Sequence, residues 1–355
     1  MRRIHRVGQV LLTLGGLVGL YTSSVSAQDT VRRIGASAIQ GTVKRISPLE
    51  VVVDQAGQDV KVPVNEIQWI TFQGEPAALN TARTTLAGGR YQDALEILND
   101  PKKIPLEELD RPELKQEVDF YKAYCLAKLA LAGSADINEA GKNLIAFVQK
   151  NSGSYHYLEA SELIGNLLVA AGKYKEAEAY YKPLAQTPWP DYQIRAGVAL
   201  GRLALAQNKM DDAEKIFDKV LSISAQGPQA DLYRQEAQLG KARCLAEKGN
   251  PDEARKIVQG IIAAADAEHQ DLHARAYTTL GAIERKAGRN KEALMAFLHV
   301  DLLYFANGEL HAEALANLVD LWTQLHKPER AARARQVLES RYKNSPWAKQ
   351  VGGSP

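Results

Sequence analysis

A short segment recurs along most of this 355-residue chain. Gly89-Arg90-Tyr91-Gln92-Asp93-Ala94-Leu95 returns as Gly172-Lys173-Tyr174-Lys175-Glu176-Ala177-Glu178 and as Gly288-Arg289-Asn290-Lys291-Glu292-Ala293-Leu294. Looser copies centre on Ala140, Ala213, Ala254 and Ala331, so seven alanines follow one another at steps of 46, 37, 36, 41, 39 and 38 residues. Between them the chain reads as amphipathic helical patterns rich in Ala, Leu, Glu and Lys. A unit this short cannot bury its apolar face alone. Neighbours must stack, and the chain has to fold as an array with a continuous core.

The residue types have physical reasons. Gly or Asn at the turn tolerates a positive φ, and a small alanine lets the second helix of a unit approach the first. Leu163-Ile164-Gly165, Leu200-Gly201 and Leu280-Gly281 lie seven residues before the turn, and Tyr181, Phe217 and Phe297 lie four after the alanine. An aromatic there fills the space between units. Together these landmarks resemble the tetratricopeptide repeat family, over about four fifths of the chain that follows residue 27. The resemblance implies a mainly α fold: about seven helix-turn-helix units over residues 76–347, forming a right-handed α-solenoid with an extended concave surface. Tyr342-Lys343-Asn344-Ser345-Pro346-Trp347 resembles the closing segment of exported repeat proteins of the bacterial envelope, and 348–355 reads as a disordered tail.

Residues 1–27 read as an export signal. Arg2, Arg3 and Arg6 precede an uncharged apolar run, Val7 to Tyr21, and Val25-Ser26-Ala27 offers a small-residue cleavage site. The run is shorter than the roughly 20 apolar residues of a spanning helix. The pair Arg2-Arg3 is followed by Ile4-His5 rather than the twin-arginine pattern, so Sec-type export to the periplasm or medium is expected. Neither cysteine, Cys125 or Cys244, stands at the cleavage point, which excludes a lipoprotein. Cleavage takes the formal charge from +2 to −1, so nucleic acid is not an expected partner, and no later stretch is apolar enough for stable membrane insertion.

Residues 28–75 read differently. Ile39–Ile46, Leu49–Asp54, Val60–Val64 and Trp69–Phe72 are short runs rich in β-branched and aromatic residues, punctuated by Ser47-Pro48 and Gly57-Gln58. Four or five short strands loosely resemble a small all-β SH3-like or Sm-like barrel. Pro63, which cannot donate to a ladder, belongs at an edge or bulge. A module this small is marginal alone. Trp69 and Phe72 are either core rings or a second binding surface.

No catalytic or cofactor motif emerges, and no cofactor is expected. Gly172-Lys173 and Gly240-Lys241 lack the upstream glycine of a phosphate cradle. His269 and His273 share an i, i+4 spacing, but Gln270 replaces the glutamate of a zinc-protease helix, so no metal is expected. Cys125 and Cys244 fall in the first helices of units two and five, too far apart for a bridge.

The repeat register places Arg195, Arg202, Arg243, Arg275 and Arg285 on the concave face, among Glu159, Glu162, Glu236 and Asp320. They either receive an acidic segment or are neutralised by those acids. The carboxylate clamp of chaperone-binding family members is not matched: Asn166 fits it, while Glu162 and Ala199 replace its lysine and second asparagine. The expected function is a non-catalytic periplasmic scaffold that binds another envelope protein or peptide in the groove. A glycan- or cell-wall-binding subunit acting through Trp69 and Phe72 is the alternative.

Overall fold

The computed structural model describes residues 28–352. The export-signal reading concerns residues 1–27, outside the described residues, as does the end of the chain from 353.

The fold is mainly α, with a five-stranded antiparallel sheet ahead of the helices. The strands are β1 Asp29–Arg33, β2 Ala36–Ile46, β3 Glu50–Gln55, β4 Gln58–Pro63 and β5 Ile67–Thr71. Their order, β4-β3-β2-β1-β5, is a meander whose last strand returns to pair with the first, consistent with the expected small barrel. Register shifts interrupt β1 against β2, β1 against β5, and β2 against β3; such bulges sharpen the twist that curls a small sheet. Pro63 ends β4, an edge strand, where its missing N–H costs no ladder bond.

Seven helix pairs follow: α1 Ala77–Ala87 with α2 Tyr91–Asn99, α3 Pro112–Ala132 with α4 Ile137–Lys150, and α5 Tyr157–Ala170 with α6 Tyr174–Ala185. The next are α7 Pro190–Ala206 with α8 Met210–Ser222, and α9 Pro228–Glu247 with α10 Pro251–Ala264. The last are α11 Gln270–Lys286 with α12 Asn290–Leu303, and α13 Gly308–Gln324 with α14 Pro328–Arg341. Proline occupies the first turn of α3, α7, α9, α10 and α14, where its missing N–H is no loss and its fixed φ suits the helix.

Each anchoring alanine is the fourth residue of its second helix, and all seven are buried. Five residues before it, in six units, stands a residue with positive φ: Gly89, Gly172, Asn208, Gly249, Gly288 and His326. Unit two departs, with Gly133 in the left-handed region at the end of α3 and a longer turn. The aromatics fit notches cut by glycine. A Cβ on Gly201 would lie 2.3 Å from the Phe217 ring, and one on Gly240 of the next unit 2.2 Å from its other side.

The tail expectation is corrected. Pro346–Gly352 is a helix, α15, with Ala348 and Val351 buried; these apolar side chains cover α13 and α14, which burial favours over fraying.

The β module shares its core with the solenoid: one apolar cluster runs from Val31, Val51 and Phe72 through Leu79 and Phe120 to Leu167. Buried Asp29 accepts from Val43 N (2.9 Å), Gln73 N (2.8 Å) and Arg111 Nη1 (2.6 Å), pinning the first strand to α3. Asn65 Nδ2 donates to Asp191 at the start of α7. The module therefore spans the helix starts of units two to four.

Beneath it lies a buried polar cluster. Arg83 on α1 bonds Glu75 (2.8 Å) and Glu117 on α3 (3.1 Å), and Glu117 also meets His156 Nε2 (2.9 Å) and Tyr155 OH (3.0 Å). His156 stacks on Phe120 with 3.7 Å between centroids. Burial opposes both charges, but their mutual attraction outweighs it: Glu117 is held below the usual carboxylate range by His156 and Arg83, and His156 is raised by Glu117 and Glu159.

Candidate groove of the solenoid

First helices pack against one another, α3 on α5, α5 on α7, α7 on α9, α9 on α11 and α11 on α13, whereas second helices touch chiefly first helices. The first helices are thus the inner layer, and their exposed sides line the concave face.

Counting back thirteen residues from Gly172, Asn208, Gly249, Gly288 and His326 gives Glu159, Arg195, Glu236, Arg275 and Glu313. The row alternates in sign from unit to unit. Each arginine then has acids in both neighbouring units. Arg195 pairs with Glu162, Arg202 with Glu236, and Arg275 with Asp271 (2.7 Å) and Glu236 (3.6 Å). Arg285 reaches Asn317 and Asp320 of the next unit, the latter at 2.9 Å.

Among these groups Arg195 and Arg275 are raised and Asp271 is lowered by their charged neighbours, against burial. Burial would raise Asp271, yet Arg275 and the Asn307 amide hold it down at about 2. Glu159 is depressed against burial by His156, Arg195 and Lys128. Tyr192 and Tyr233 flank the Arg195 guanidinium at 5.4 and 5.8 Å from their ring centres; burial pushes Tyr192 up to about 12.

Of the five arginines read from the sequence, four are engaged internally. Arg243 is the exception: it is exposed and has no ion pair among the described residues. Its charge is felt by Glu313, two units on, where burial raises the carboxyl and Arg243 opposes the rise. Asn166 is occupied too, its Oδ1 accepting from Tyr181 OH at 2.8 Å. Glu309, Glu313 and Lys128, which the sequence reading did not single out, join the lining. The thirteen-residue register finds Glu313 once the turn positions are known.

The β-module surface is corrected in part. Phe72 is 2% exposed, with the Arg111 guanidinium 4.9 Å over its ring, and is core. Trp69 is half-buried beneath Arg32, its Nε1 enclosed with no acceptor. His273 is buried, its Nε2 at 3.1 Å from Asp266 O and its ring stacked on Tyr304. Among the described residues no group of three or more His, Cys, Asp or Glu is placed to hold a metal, and no helix is long and apolar enough to cross a membrane. Cys125 and Cys244 are buried and unbridged, their thiols pushed up by burial to about 12 and about 11.

A cavity of about 710 Å³ opens where the last two units meet the first two, between Gly89–Asp93, Lys128–Leu129, Glu268–Asp271 and Ala306–Glu309.

The tetratricopeptide repeat family model matches residues 168–235. The matched span runs from the end of α5 into α9, so it contains Arg195 and Arg202, while their partners Glu162 and Glu236 lie just outside it. Among solved structures, a Rap protein complexed with Competence and Sporulation Factor is similar in fold, with a TM-score of 0.55 and 14% identity, over 78% of this chain and 75% of that one. A tetratricopeptide repeat protein from Parabacteroides merdae ATCC 43184 is 18% identical over 77% of this chain and 95% of its own, at a TM-score of 0.47. PilW, a type IV pilus biogenesis factor, is 17% identical over 66% and 97%, at 0.40. At these identities the likeness concerns the fold. No curated protein sequence gives a significant match.

Proposed function

We propose that the chain is a non-catalytic scaffold, exported through its N-terminal signal to the periplasm, that binds a protein or peptide segment of another envelope protein along the concave face. One observation carries this reading. The inner layer is a continuous polar surface built from five or more successive units, and of its arginines Arg195, Arg202, Arg275 and Arg285 are paired within it while Arg243 has no ion pair among the described residues. A groove paired in this way does not attract acid indiscriminately; a single uncommitted guanidinium selects the partner that offers one carboxylate at that depth. The similar Rap protein is itself solved with Competence and Sporulation Factor, which supports partner binding by this architecture. The glycan alternative is weakened because Phe72 lies in the core.

The test compares Arg243→Glu with Arg202→Glu in pull-downs from envelope extract. Arg243→Glu removes partner capture and leaves the melting temperature nearly unchanged. Arg202→Glu lowers the melting temperature, because it sets a second acid against Glu236. Capture undiminished by Arg243→Glu would remove the groove from the account.

A further inference from the structure

The two ends of the array meet. Beyond α14 the chain runs back against the last turn of α3: Asn344 donates its N–H to Gly133 O at 2.9 Å, and Ser134 donates its hydroxyl to Arg341 O at 2.8 Å, across 207 residues of sequence. The approach is close. A Cβ on Gly133 would lie 2.3 Å from Ser345 N, and one on Gly308 would lie 2.7 Å from Ala132 Cβ. Ser345 is 1% exposed, and Ala132 is buried in one cluster with Tyr342, Ala348, Val351 and Phe297. His311 fixes Tyr342 from behind, joining its hydroxyl at 2.9 Å and Asp301 at 2.9 Å.

This joint differs from every other joint between units. Elsewhere the second helix of one unit packs along the first helix of the next; here α14 does not pack along α3, whose end is met by α13 and by the segment after α14, and the 710 Å³ cavity lies open beside them. A joint that lacks the second-helix layer, next to an open cleft, parts at lower cost than a full one. We propose that residues 342–352, together with the start of α13, are a clasp that holds the superhelix shut around its groove, and that release of this clasp from α3 is the motion that widens the groove for a partner. This rests on the groove being the partner site.

The experiment follows hydrogen exchange and small-angle scattering of the full chain. Wild-type amides of residues 341–345 exchange faster than those of α7 to α10, because the clasp opens without global unfolding. Gly308→Val, which wedges Ala132 away, speeds exchange in 129–134 and 341–352 on the order of tenfold and enlarges the scattering radius, leaving α7 to α10 unchanged. A short bis-maleimide bridge between Ser134→Cys and Lys343→Cys reverses both effects; the native cysteines are buried and do not compete. Should Gly308→Val fail to fold, Tyr342→Phe, which removes only the tie to His311, carries the same readout. Clasp amides that exchange only at the global rate, or a variant that accelerates all segments equally, would overturn the proposal. A clasp that opens as described in a protein whose groove captures nothing removes the groove reading alone.

Discussion

At the residue scale, two positions repeat because the backbone demands them. The turn residue adopts a positive φ, which glycine does freely and other L-residues at about 1–2 kcal/mol. His326 (φ 55°) therefore carries strain that Gly288 (φ 74°) does not. His326→Gly is expected to raise stability by about 0.5–1 kcal/mol, and Gly288→Ala to lower it by about 1 kcal/mol, read from denaturant midpoints. Equal and opposite signs to these would mean the turns are not fixed as described. The second position is the notch glycine. Gly201→Ala pushes a methyl into the Phe217 ring and is expected to cost about 1–3 kcal/mol by thermal melting; a neutral result would show that the ring has room to move.

The buried cluster adds a pH dependence. His156 is raised in the folded state, so its contribution is complete below the ordinary histidine range near pH 6.5 and is lost as pH rises through the raised value. Glu117 is depressed, so its contribution is complete above the ordinary carboxylate range and is lost as pH falls through the depressed value. Glu75, raised by burial despite Arg83, works in the opposite sense to Glu117. Above pH 6.5 the His156 effect is left. The melting temperature of wild type falls from pH 6.5 to 9 more steeply than that of His156→Gln; parallel curves would contradict a charged His156–Glu117 pair.

At the scale of elements, Glu236 on α9 ties α7 to α11 by meeting both Arg202 and Arg275. Glu236→Gln leaves Arg202 without its ion pair, takes from Arg275 one of its two acids, and is expected to cost about 1–2 kcal/mol, more than Glu162→Gln, which touches Arg195 alone. A double-mutant cycle with Arg202 and Arg275 measures it, and zero coupling to both would reduce the row to decoration. This scale also shows what the sequence could and could not say. The seven alanines and six of the seven turns were legible, because they answer to local geometry repeated many times. The register that sets the arginines along the first helices was legible as well. Their partners were not: Arg202 lies six residues before its turn and reaches an acid thirteen before the next. The stagger between units, which no single repeat contains, decides that pairing. Strand β1 at Asp29–Arg33 was not singled out, since three of its five residues are charged and Asp29 is held by Arg111 rather than by a strand pattern.

For the whole molecule, the array closes: its last helices meet α3, and the β module bridges units two to four. Contacts across 207 residues leave no periodic trace, so neither closure nor the helical end at Pro346–Gly352 could be read from repeats. What closure produces is an enclosed polar groove whose arginines are paired within it, Arg243 excepted, among the described residues. The measurement that tests this most directly places a photo-crosslinking amino acid in cells either at Ala282 on α11, which stands six residues before its turn as Arg202 and Arg243 do, or at Glu253, exposed on the outer helix α10. The account predicts a discrete adduct from position 282 that disappears in the Arg243→Glu background, and none from position 253. Adducts from the outer position alone would contradict it.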